Sequence, residues 1–567
     1  MGPKDLKNIL SDSVGMPEKL KLFFVSHWRG LIILLTPAAL SAVLMPFPPT
    51  QAQWVGYTLM IMASFWVTEC IPLAVTAFIP IAMFPFIGIM GTRHCCSNYM
   101  NDTIMMFIGS LFISYSVEQS GLHKRLAYCS IQTIGYSHLR LLLAMCCVTT
   151  FASMWITNTA ATTMMTPINF ALLRVFEDQG VIVVYEKTVT GDLIASDVTS
   201  SYFCAVTFSA TVGGIGTLVG TGTNLVFKGL FQSWYPTAPE YLSFPMFSAF
   251  AIPYMILLEI PVYLYMTIMF FGFLRPGSAT AKKSTIPLSV QQAAAAVIAE
   301  DVRKKGSISY WEVMVVILFG GAMVSFFCRS PQMFPGWGDQ LIAFFRMKPK
   351  FIRDSALAMF VSFMMFLFPR DKSFWANFSV KYREDLPKGK TGSVLDFVLL
   401  NDKCPYAFSF LLGGGFTLSD AANTSGLNKI LGEVMKEKLT GMDNVLIILF
   451  IIIVVIFVTN FASNVAVCTV FTPIAMQLAE NMGQNPLWYN IVSGYAASYC
   501  FMIPVGTPGN LIVQSAAKVP TSKMMFCGLG PTISTILITW VCMLFWAPTV
   551  WPDLKTLPYW FFEKKEK

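Results

Sequence analysis

The sequence predicts an all-α polytopic membrane protein with about eleven transmembrane spans, two re-entrant hairpins and two broken helices in inverted repeats. Three observations support this prediction: an apolar composition, a series of long apolar windows, and polar motifs that each occur twice. Of the 567 residues, 55% are hydrophobic and only 12% are charged. A soluble domain is less apolar and more highly charged. We therefore expect membrane lipid to be the main partner of the protein surface.

The apolar windows are long enough to cross a bilayer, since a helix of roughly 20 residues spans a hydrocarbon core of about 30 Å. Their number gives the expected count of about eleven spans. The windows lie near residues 31–47, 54–70, 71–90, 103–119, 198–228, 244–273, 310–328, 352–369, 403–419, 490–515 and 525–548.

Positive charge is concentrated in tails and loops, although the formal net charge of the chain is +8. This distribution is typical of a topology signal, so we expect no nucleic-acid partner. Residues 1–30 carry several Lys and Arg residues, whereas the loop 46–53 carries no charge. The N-terminus is therefore predicted to be cytoplasmic and the C-terminus extracellular.

Motifs of soluble enzymes are absent from the sequence. The thirteen cysteines include no C-x-x-C pair, and none of the four histidines has H-E-x-x-H spacing. Gly389-Lys390-Thr391 resembles the end of a phosphate-binding loop, but Glu384 stands where that pattern needs glycine. The sequence therefore predicts that the protein is not an enzyme and has no catalytic residues.

A polar tripeptide between apolar flanks occurs twice. Thr157-Asn158-Thr159 is followed 306 positions later by Ser463-Asn464-Val465, and the same register superposes Ser153 on Thr459 and Pro167 on Pro473. A single Asn in an apolar segment is usually a hydrogen-bonding contact between membrane helices. Repetition in a matching context instead favours a substrate site of a secondary transporter.

The apolar arms on either side of each tripeptide are short for a full crossing. Residues 139–175 and 442–479 are therefore predicted to be re-entrant helical hairpins, whose non-helical tips must be buried in protein or face water. An odd number of full crossings between the hairpins would bring the second in from the opposite face. The repeats would then be inverted.

A second pair of motifs interrupts two apolar windows. Val219 to Leu225 recurs as Val505 to Leu511, and both segments contain Gly and Asn. Residues 198–228 and 490–515 are therefore predicted to be spans broken in the middle. A broken helix directs amide N–H groups toward an anion and free carbonyls toward a cation.

The repeats divide the chain into five regions. A cytoplasmic linker is expected between the two halves, and tails are expected at both ends. The regions are residues 1–30, the first span with the first repeat at 31–274, the linker at 275–309, the second repeat at 310–548, and the C-terminal tail at 549–567.

Charged side chains are scarce around these motifs. Neither hairpin tip contains Lys or Arg, and Lys228 is the only cation near the broken spans. An anionic substrate would therefore be held by amides, hydroxyls and backbone N–H groups. For Glu69, at the end of an apolar window, a carboxylate facing water and a functional charge within the membrane are equally consistent with the sequence.

At these motifs the chain resembles the divalent anion/sodium symporter family, the solute carrier 13 group, over nearly its whole length. The resemblance implies a plasma-membrane secondary transporter of citrate and of dicarboxylates such as succinate. It also implies a homodimer in which a transport domain carrying both hairpins moves like an elevator against a scaffold domain. By resemblance, the carboxylate site comprises Asn158, Thr159, Asn464, Val465, Thr507 and Pro508.

The same resemblance implies sodium as the only candidate cofactor, at two positions. The residues implied there are Ser153, Thr157, Asn158, Gly213, Gly214, Thr459, Ala462 and Asn464.

The chain departs from the family pattern near the second motif. Asn460 stands where Glu is usual, and Val467 and Cys468 replace hydroxyl residues. Without bound cations, the charge of the anion must be compensated by protons or by a counter-moving anion, and these departures therefore favour sodium-independent exchange, with sodium symport as the alternative. A sulfate carrier and a channel-like anion pore also remain open, although discontinuous motifs argue against an open pore.

Overall fold

The computed structural model describes residues 16–45, 47–187, 193–275, 277–278, 286–348, 350–373, 378–385, 389–439 and 441–563. Parts of all five predicted regions lie outside the described residues. These parts are residues 1–15 of the N-terminal region, 46 and 188–192 of the region 31–274, 276 and 279–285 of the linker, 349, 374–377, 386–388 and 440 of the region 310–548, and 564–567 of the C-terminal tail.

Of the described residues, 75% are helical. Before the first hairpin, three short helices lie between longer ones, because Pro72, Pro80 and Gly91 interrupt the apolar run of this region. The helices are α1 Met16–Leu40, α2 Gln51–Thr68, α3 Leu73–Thr76, α4 Ile79–Ile87, α5 Thr92–Tyr99, α6 Asp102–Ser120 and α7 Leu122–Ile134.

The rest of the first half contains a helical hairpin, a broken helix and one long helix. A surface helix in the predicted linker follows them. The helices are α8 His138–Ser153, α9 Asn158–Asp178, α10 Asp197–Gly214, α11 Gly222–Trp234, α12 Phe244–Phe271 and α13 Leu288–Lys305.

The second half begins with six other helices, of which Tyr310–Arg329 is the longest, and then repeats the order of hairpin, broken helix and long helix. The long helix continues through a π-helical turn at Cys542–Trp546. The helices are α14 Tyr310–Arg329, α15 Trp337–Phe344, α16 Asp354–Leu367, α17 Phe397–Lys403, α18 Ala407–Thr424, α19 Leu427–Leu439, α20 Asn444–Thr459, α21 Asn464–Asn481, α22 Pro486–Ala496, α23 Pro508–Ala517, α24 Thr521–Val541, α25 Ala547–Val550 and α26 Tyr559–Glu563.

One small sheet departs from the all-α prediction. Strand β1 Tyr185–Lys187 pairs antiparallel with β2 Leu193–Ala195, with Tyr185 opposite Ala195. The segment before β1 is rich in β-branched residues, which favour extended backbone. The amide of Ala195 also donates to the carbonyl of Lys518 at 3.1 Å, so this two-stranded sheet is joined to the end of α23.

Four segments of the described chain are helical, long enough and apolar enough to cross a membrane: Met16–Leu44, Phe244–Phe271, Tyr310–Arg329 and Thr521–Val550. Three of them match predicted windows, whereas Met16–Leu44 overlaps the window 31–47 but begins within the region predicted as the N-terminal tail. Two other windows hold the shorter apolar helices Leu73–Ile87 and Asp354–Leu367. The first arms of the two predicted hairpins hold two more, His138–Ser153 and Asn444–Thr459.

The two hairpins and the two broken helices interlock. The first hairpin, α8 and α9, packs on α10, and the second, α20 and α21, packs on α22. The second parts of the broken helices cross over, because α11 packs on α21 of the second hairpin whereas α23 packs on α9 of the first. The two hairpin tips and the two broken helices are therefore packed together.

Candidate functional site

The first hairpin tip is a short turn between α8 and α9. Thr157 caps α9, since its hydroxyl accepts the amide of Ala160 at 3.3 Å. Ser153 Oγ lies 2.9 Å from Asn158 Oδ1 and 2.6 Å from the carbonyl oxygen of Ala210 on α10. The Ser153 hydroxyl thereby connects both arms of the tip to the neighbouring broken helix.

The second tip repeats this arrangement. Thr459 Oγ1 lies 2.8 Å from Asn464 Oδ1 and 2.8 Å from the carbonyl oxygen of Ala497, just after α22. Asn464 Nδ2 donates to the carbonyl of Ser498 at 3.0 Å. Ser153 and Thr459, which the sequence register superposes, therefore have the same kinds of partner.

Each broken helix has an Asn that bonds the carbonyls freed by the break. Asn224 Nδ2 donates to the carbonyls of Gly214 at 3.0 Å and Thr217 at 2.7 Å. Asn510 Nδ2 donates to the carbonyls of Cys500 at 3.1 Å and Ile503 at 3.2 Å. Buried carbonyls need such partners, and the Asn side chain supplies them where the helix does not.

Glycine allows the broken segments to approach the tips closely. A Cβ atom on Gly220 would lie 3.0 Å from the carbonyl oxygen of Ser153, and one on Gly506 would lie 2.6 Å from that of Thr459. Both distances are too short for ordinary packing. The two glycines occupy equivalent places, each facing the last residue of a hairpin's first arm.

The tips and breaks enclose a cavity of about 940 Å³. The N-termini of α9, α11, α21 and α23 all contribute to its lining. Helix N-termini present free amide N–H groups and a partial positive charge, which together favour an anion. All six residues of the predicted carboxylate site line this one cavity: Asn158, Thr159, Asn464, Val465, Thr507 and Pro508.

Formal charges in the lining come from other helices. Glu118, Lys124 and Lys403 lie on α6, α7 and α17, and Glu69 ends α2. Glu69 is exposed and has a left-handed backbone, with φ of 48°. Glu69 therefore lies at the end of a helix and also lines the cavity. This position is consistent both with a carboxylate facing water and with a functional charge within the membrane.

Lys228 is engaged elsewhere. Its Nζ lies 3.0 Å from Asp354 Oδ2 and 3.9 Å from Glu240 Oε1, and Arg329 pairs with the same two carboxylates. The four side chains form a buried ion cluster that joins α11 to α14 and α16. Lys228 is therefore a structural cation and does not line the cavity.

The predicted sodium residues separate into two groups, one behind each tip. Ser153 and Asn158 lie at the first tip, where Gly213 packs on Thr150 and Gly214 on Asn158. Thr157 is the helix cap of this tip. Thr459, Ala462 and Asn464 lie at the second tip.

Both groups present neutral hydroxyl, amide and carbonyl oxygens. Sodium accepts such hard donors, so the residues present fit the ion. The carbonyls of Ala210 and Ala497 belong to these groups but were not predicted. A main-chain oxygen of an alanine leaves no signal in the sequence. Among the described residues, no group of three or more His, Cys, Asp or Glu side chains could hold a metal ion.

The residues that depart from the family pattern form their hydrogen bonds away from the second oxygen group. Asn460 Nδ2 donates to the carbonyl of Ile456 at 2.7 Å, and its Oδ1 accepts the amide of Met502 at 3.1 Å. Cys468 Sγ lies 3.4 Å from Thr472 Oγ1. Asn460 thus ties the second tip to its broken helix as a neutral residue.

The sequence was compared with known families and proteins. The family described as the sodium:sulfate symporter transmembrane region matches residues 25–552. The protein named "I'm not dead yet" of Drosophila melanogaster is 34% identical over 96% of this chain and 93% of that protein. The rat Na(+)/citrate cotransporter is 31% identical over 95% of this chain and 98% of that protein. The mouse Na(+)/dicarboxylate cotransporter 3 is 30% identical over 94% of each.

A solved structure shows a similar fold. The YdaH transporter of Alcanivorax borkumensis superposes with a TM-score of 0.51, covering 82% of this chain and 90% of that chain at 14% sequence identity. The fold described above is therefore that of a membrane transporter.

Proposed function

Because this chain belongs to the sodium:sulfate symporter family, we propose that it is a secondary active transporter of citrate and of dicarboxylates such as succinate. The predicted resemblance to the solute carrier 13 group is confirmed, and the protein is a multi-pass membrane transporter and not an enzyme. The observation that supports the substrate class is the cavity with four helix N-termini in its lining.

The chemistry of the cavity suits a small anion with two or more carboxylates. Two tips, each with an Asn amide, can bind two carboxylates at once, while helix N-termini balance their charge. No Lys or Arg lies at either tip, so binding remains weak enough for release. The volume of about 940 Å³ exceeds the needs of sulfate and favours the larger carboxylates over the sulfate alternative.

The driving force in this proposal is exchange of one anion for another without sodium. Asn460 supplies no charge beside the second tip, and its amide is already committed to Ile456 and Met502. A second candidate is sodium symport, which the neutral oxygen groups around Ser153 and Thr459 favour. Bound sodium would offset the charge of the substrate. In either case, these residues hold and orient the two tips.

The proposed architecture comprises about eleven spans and two inverted repeats, with both hairpins re-entering the membrane. The matched contacts of Ser153 and Thr459, and of Asn224 and Asn510, support the repeat. We assign the first span and the first repeat to residues 31–274 and the second repeat to residues 310–548, joined by a cytoplasmic linker that contains α13. The N-terminus would be cytoplasmic and the C-terminal tail extracellular, in the plasma membrane.

Transport in this proposal follows an elevator motion of the hairpins and broken helices within a homodimer. The interlocking of α11 with α21 and of α23 with α9 supports movement of these elements as one body. Such a body would carry the cavity across the membrane without dismantling it.

The substrate is tested by uptake of labelled citrate into cells that express the chain. Excess succinate should compete with citrate, whereas sulfate should compete weakly. Strong competition by sulfate with none by succinate would assign the protein to the sulfate carriers. Conductance that does not saturate with citrate would instead indicate a channel.

A further inference from the structure

One carboxyl group lies inside the helix bundle behind the first tip. Glu259 stands in the middle of α12, the long apolar helix Phe244–Phe271. Its Oε1 accepts the hydroxyl of Ser209 on α10 at 2.5 Å. Its Oε2 is buried and has no hydrogen-bond partner among the described residues. Ionisable side chains within membrane spans are rare and usually functional.

The surroundings of Glu259 disfavour its charged form. The Thr150 hydroxyl and the Cys146 thiol of α8 lie against the carboxyl group, and both are neutral. Within the described chain, Glu259 forms no salt bridge. A carboxylate with an unpartnered oxygen in such an interior is strongly disfavoured, whereas the neutral acid is not.

Charged groups on α10, α14 and α24 have partners of their own, and on α8 both His138 and the exposed Arg140 lie in the first turn. The titratable side chains that face Glu259 are the thiols of Cys146 and Cys147 on α8. Along the described parts of α10, α14 and α24, the other charged side chains lie at helix ends. Their pairs are Glu312 with Arg125, Arg329 with Asp354, and Lys523 with Asp197.

Glu259 is connected to the substrate cavity through two residues adjacent in sequence. Ser209 donates to Glu259, and the carbonyl of the next residue, Ala210, lies 2.6 Å from Ser153 Oγ. Ser153 in turn contacts Asn158, which lines the cavity. The corresponding long segment of the second half, residues 521–550, contains no Asp or Glu. The carboxyl group therefore belongs to the first tip only.

We propose that Glu259 is a proton-binding site coupled to carboxylate transport, an inference that rests on the proposed function. Oε2 takes up one proton from water, forming an O–H bond, and releases it to water when the site opens on the other side. The ligand is a proton, and no other co-reactant is needed. A bound proton offsets one negative charge of the substrate in place of a cation.

The first test uses purified protein in two sets of liposomes with a trapped pH-sensitive dye, one set free of carboxylate and one loaded with succinate. In the carboxylate-free set, net uptake of labelled succinate by the wild type should acidify the lumen, and an alkaline lumen should accelerate uptake; wild-type uptake confined to the loaded set would overturn the proposal. Glu259→Gln keeps the size and the acceptor for Ser209 but cannot exchange a proton. This variant should retain exchange in the loaded set at equal pH and lose the acidification in the carboxylate-free set. Acidification equal to that of the wild type would overturn the proposal.

A second variant decides the matter if Glu259→Gln does not fold. Ser209→Ala removes the hydroxyl that donates to Oε1 at 2.5 Å, and a hydrogen bond to an ionised acceptor is stronger than one to a neutral acceptor. The proton should then be held to higher pH, so the pH of half-maximal proton flux should rise by about one unit. An unchanged midpoint would overturn the proposal, because a merely structural serine would not move it.

A matched control is the exposed carboxylate Glu300 on α13. Glu300→Gln makes the same chemical change away from the bundle and should alter neither acidification nor the midpoint. A wild-type protein that takes up no carboxylate at all would contradict the proposed function itself. That outcome is distinct from carboxylate uptake that carries no proton, which would contradict only the role of Glu259.

Discussion

The two hairpin tips share one hydrogen-bonding pattern but differ in what lies behind them. Ser153 and Thr459 each contact an Asn of their own hairpin and a carbonyl of a broken helix, at 2.6 to 2.9 Å. Behind the first tip lies the carboxyl group of Glu259, whereas the neutral amide of Asn460 ties down the second. The common pattern thus lines the cavity, and in our proposals the differences determine how the charge of the substrate is balanced.

The largest expected effect comes from removing either tip amide. Asn158→Ala and Asn464→Ala should each reduce uptake by roughly 100-fold, since each loses a substrate contact and a bond to the tip hydroxyl, together worth about 3 kcal/mol. Labelled uptake normalised to surface biotinylation measures this effect. A variant that reached the surface and transported at the wild-type rate would show that the tips are not equivalent parts of one site.

Asn169 on α9 provides the matched control. It is buried on the same helix as Asn158, and its amide atoms have no hydrogen-bond partner among the described residues. Asn169→Ala should therefore retain most of the uptake. A loss as large as that of Asn158→Ala would point to general sensitivity of α9 to substitution.

The broken helices should show a smaller and unequal effect. Asn224→Ala and Asn510→Ala each remove the side-chain donor to two buried carbonyls and leave one of them, that of Gly214 or Cys500, with no other donor among the described residues, which costs about 2 kcal/mol. Asn510 Oδ1 also accepts the hydroxyl of Thr207 at 2.9 Å, so Asn510→Ala should be destabilised further, by about 1 kcal/mol. Thermal unfolding in detergent measures the order. Equal melting temperatures would show that the bond to Thr207 contributes nothing.

Much of this site follows from the sequence, and the rest does not for physical reasons. Asn158, Asn464, Asn224 and Asn510 are conspicuous because polar residues in apolar segments need partners. The carbonyl of Ala210 is not conspicuous in the sequence, because every residue has a main-chain carbonyl. Only the fold determines which carbonyl lies beside the tip. Glu259 lay inside a predicted span, but its unpartnered oxygen depends on side-chain packing that a linear pattern does not contain.

The fold was predictable to a similar extent. Gly and Pro marked the breaks at 215–221 and 497–507, where the helices do end. The same signals did not reveal how α11 and α23 cross to the opposite hairpins, because that crossing depends on tertiary contacts. The small sheet at Tyr185–Lys187 was missed because three residues per strand are too few for a clear alternating pattern.

The dependence of citrate uptake on sodium tests whether the uncharged second tip makes transport independent of sodium. Replacing external sodium with choline should leave most citrate uptake intact, since Asn460 brings no charge to that tip and internal carboxylate can return in exchange. Loading the cells with succinate should accelerate uptake. Uptake that collapses in choline and carries inward current would show that the neutral oxygen groups suffice for sodium symport.

The smallest effect should come from the last residue of each motif, where Thr159 and Val465 face the same cavity with side chains of nearly equal shape. Thr159→Val removes a hydroxyl from the lining and should raise the KM for succinate by about fivefold, the equivalent of about 1 kcal/mol. Val465→Thr adds a hydroxyl at the equivalent place and should lower the KM by no more than that factor. Neither change should alter surface expression. If the two variants shift the KM in the same direction, the carboxylates do not lie symmetrically between the tips, and the repeat in sequence does not extend to the way the substrate is held.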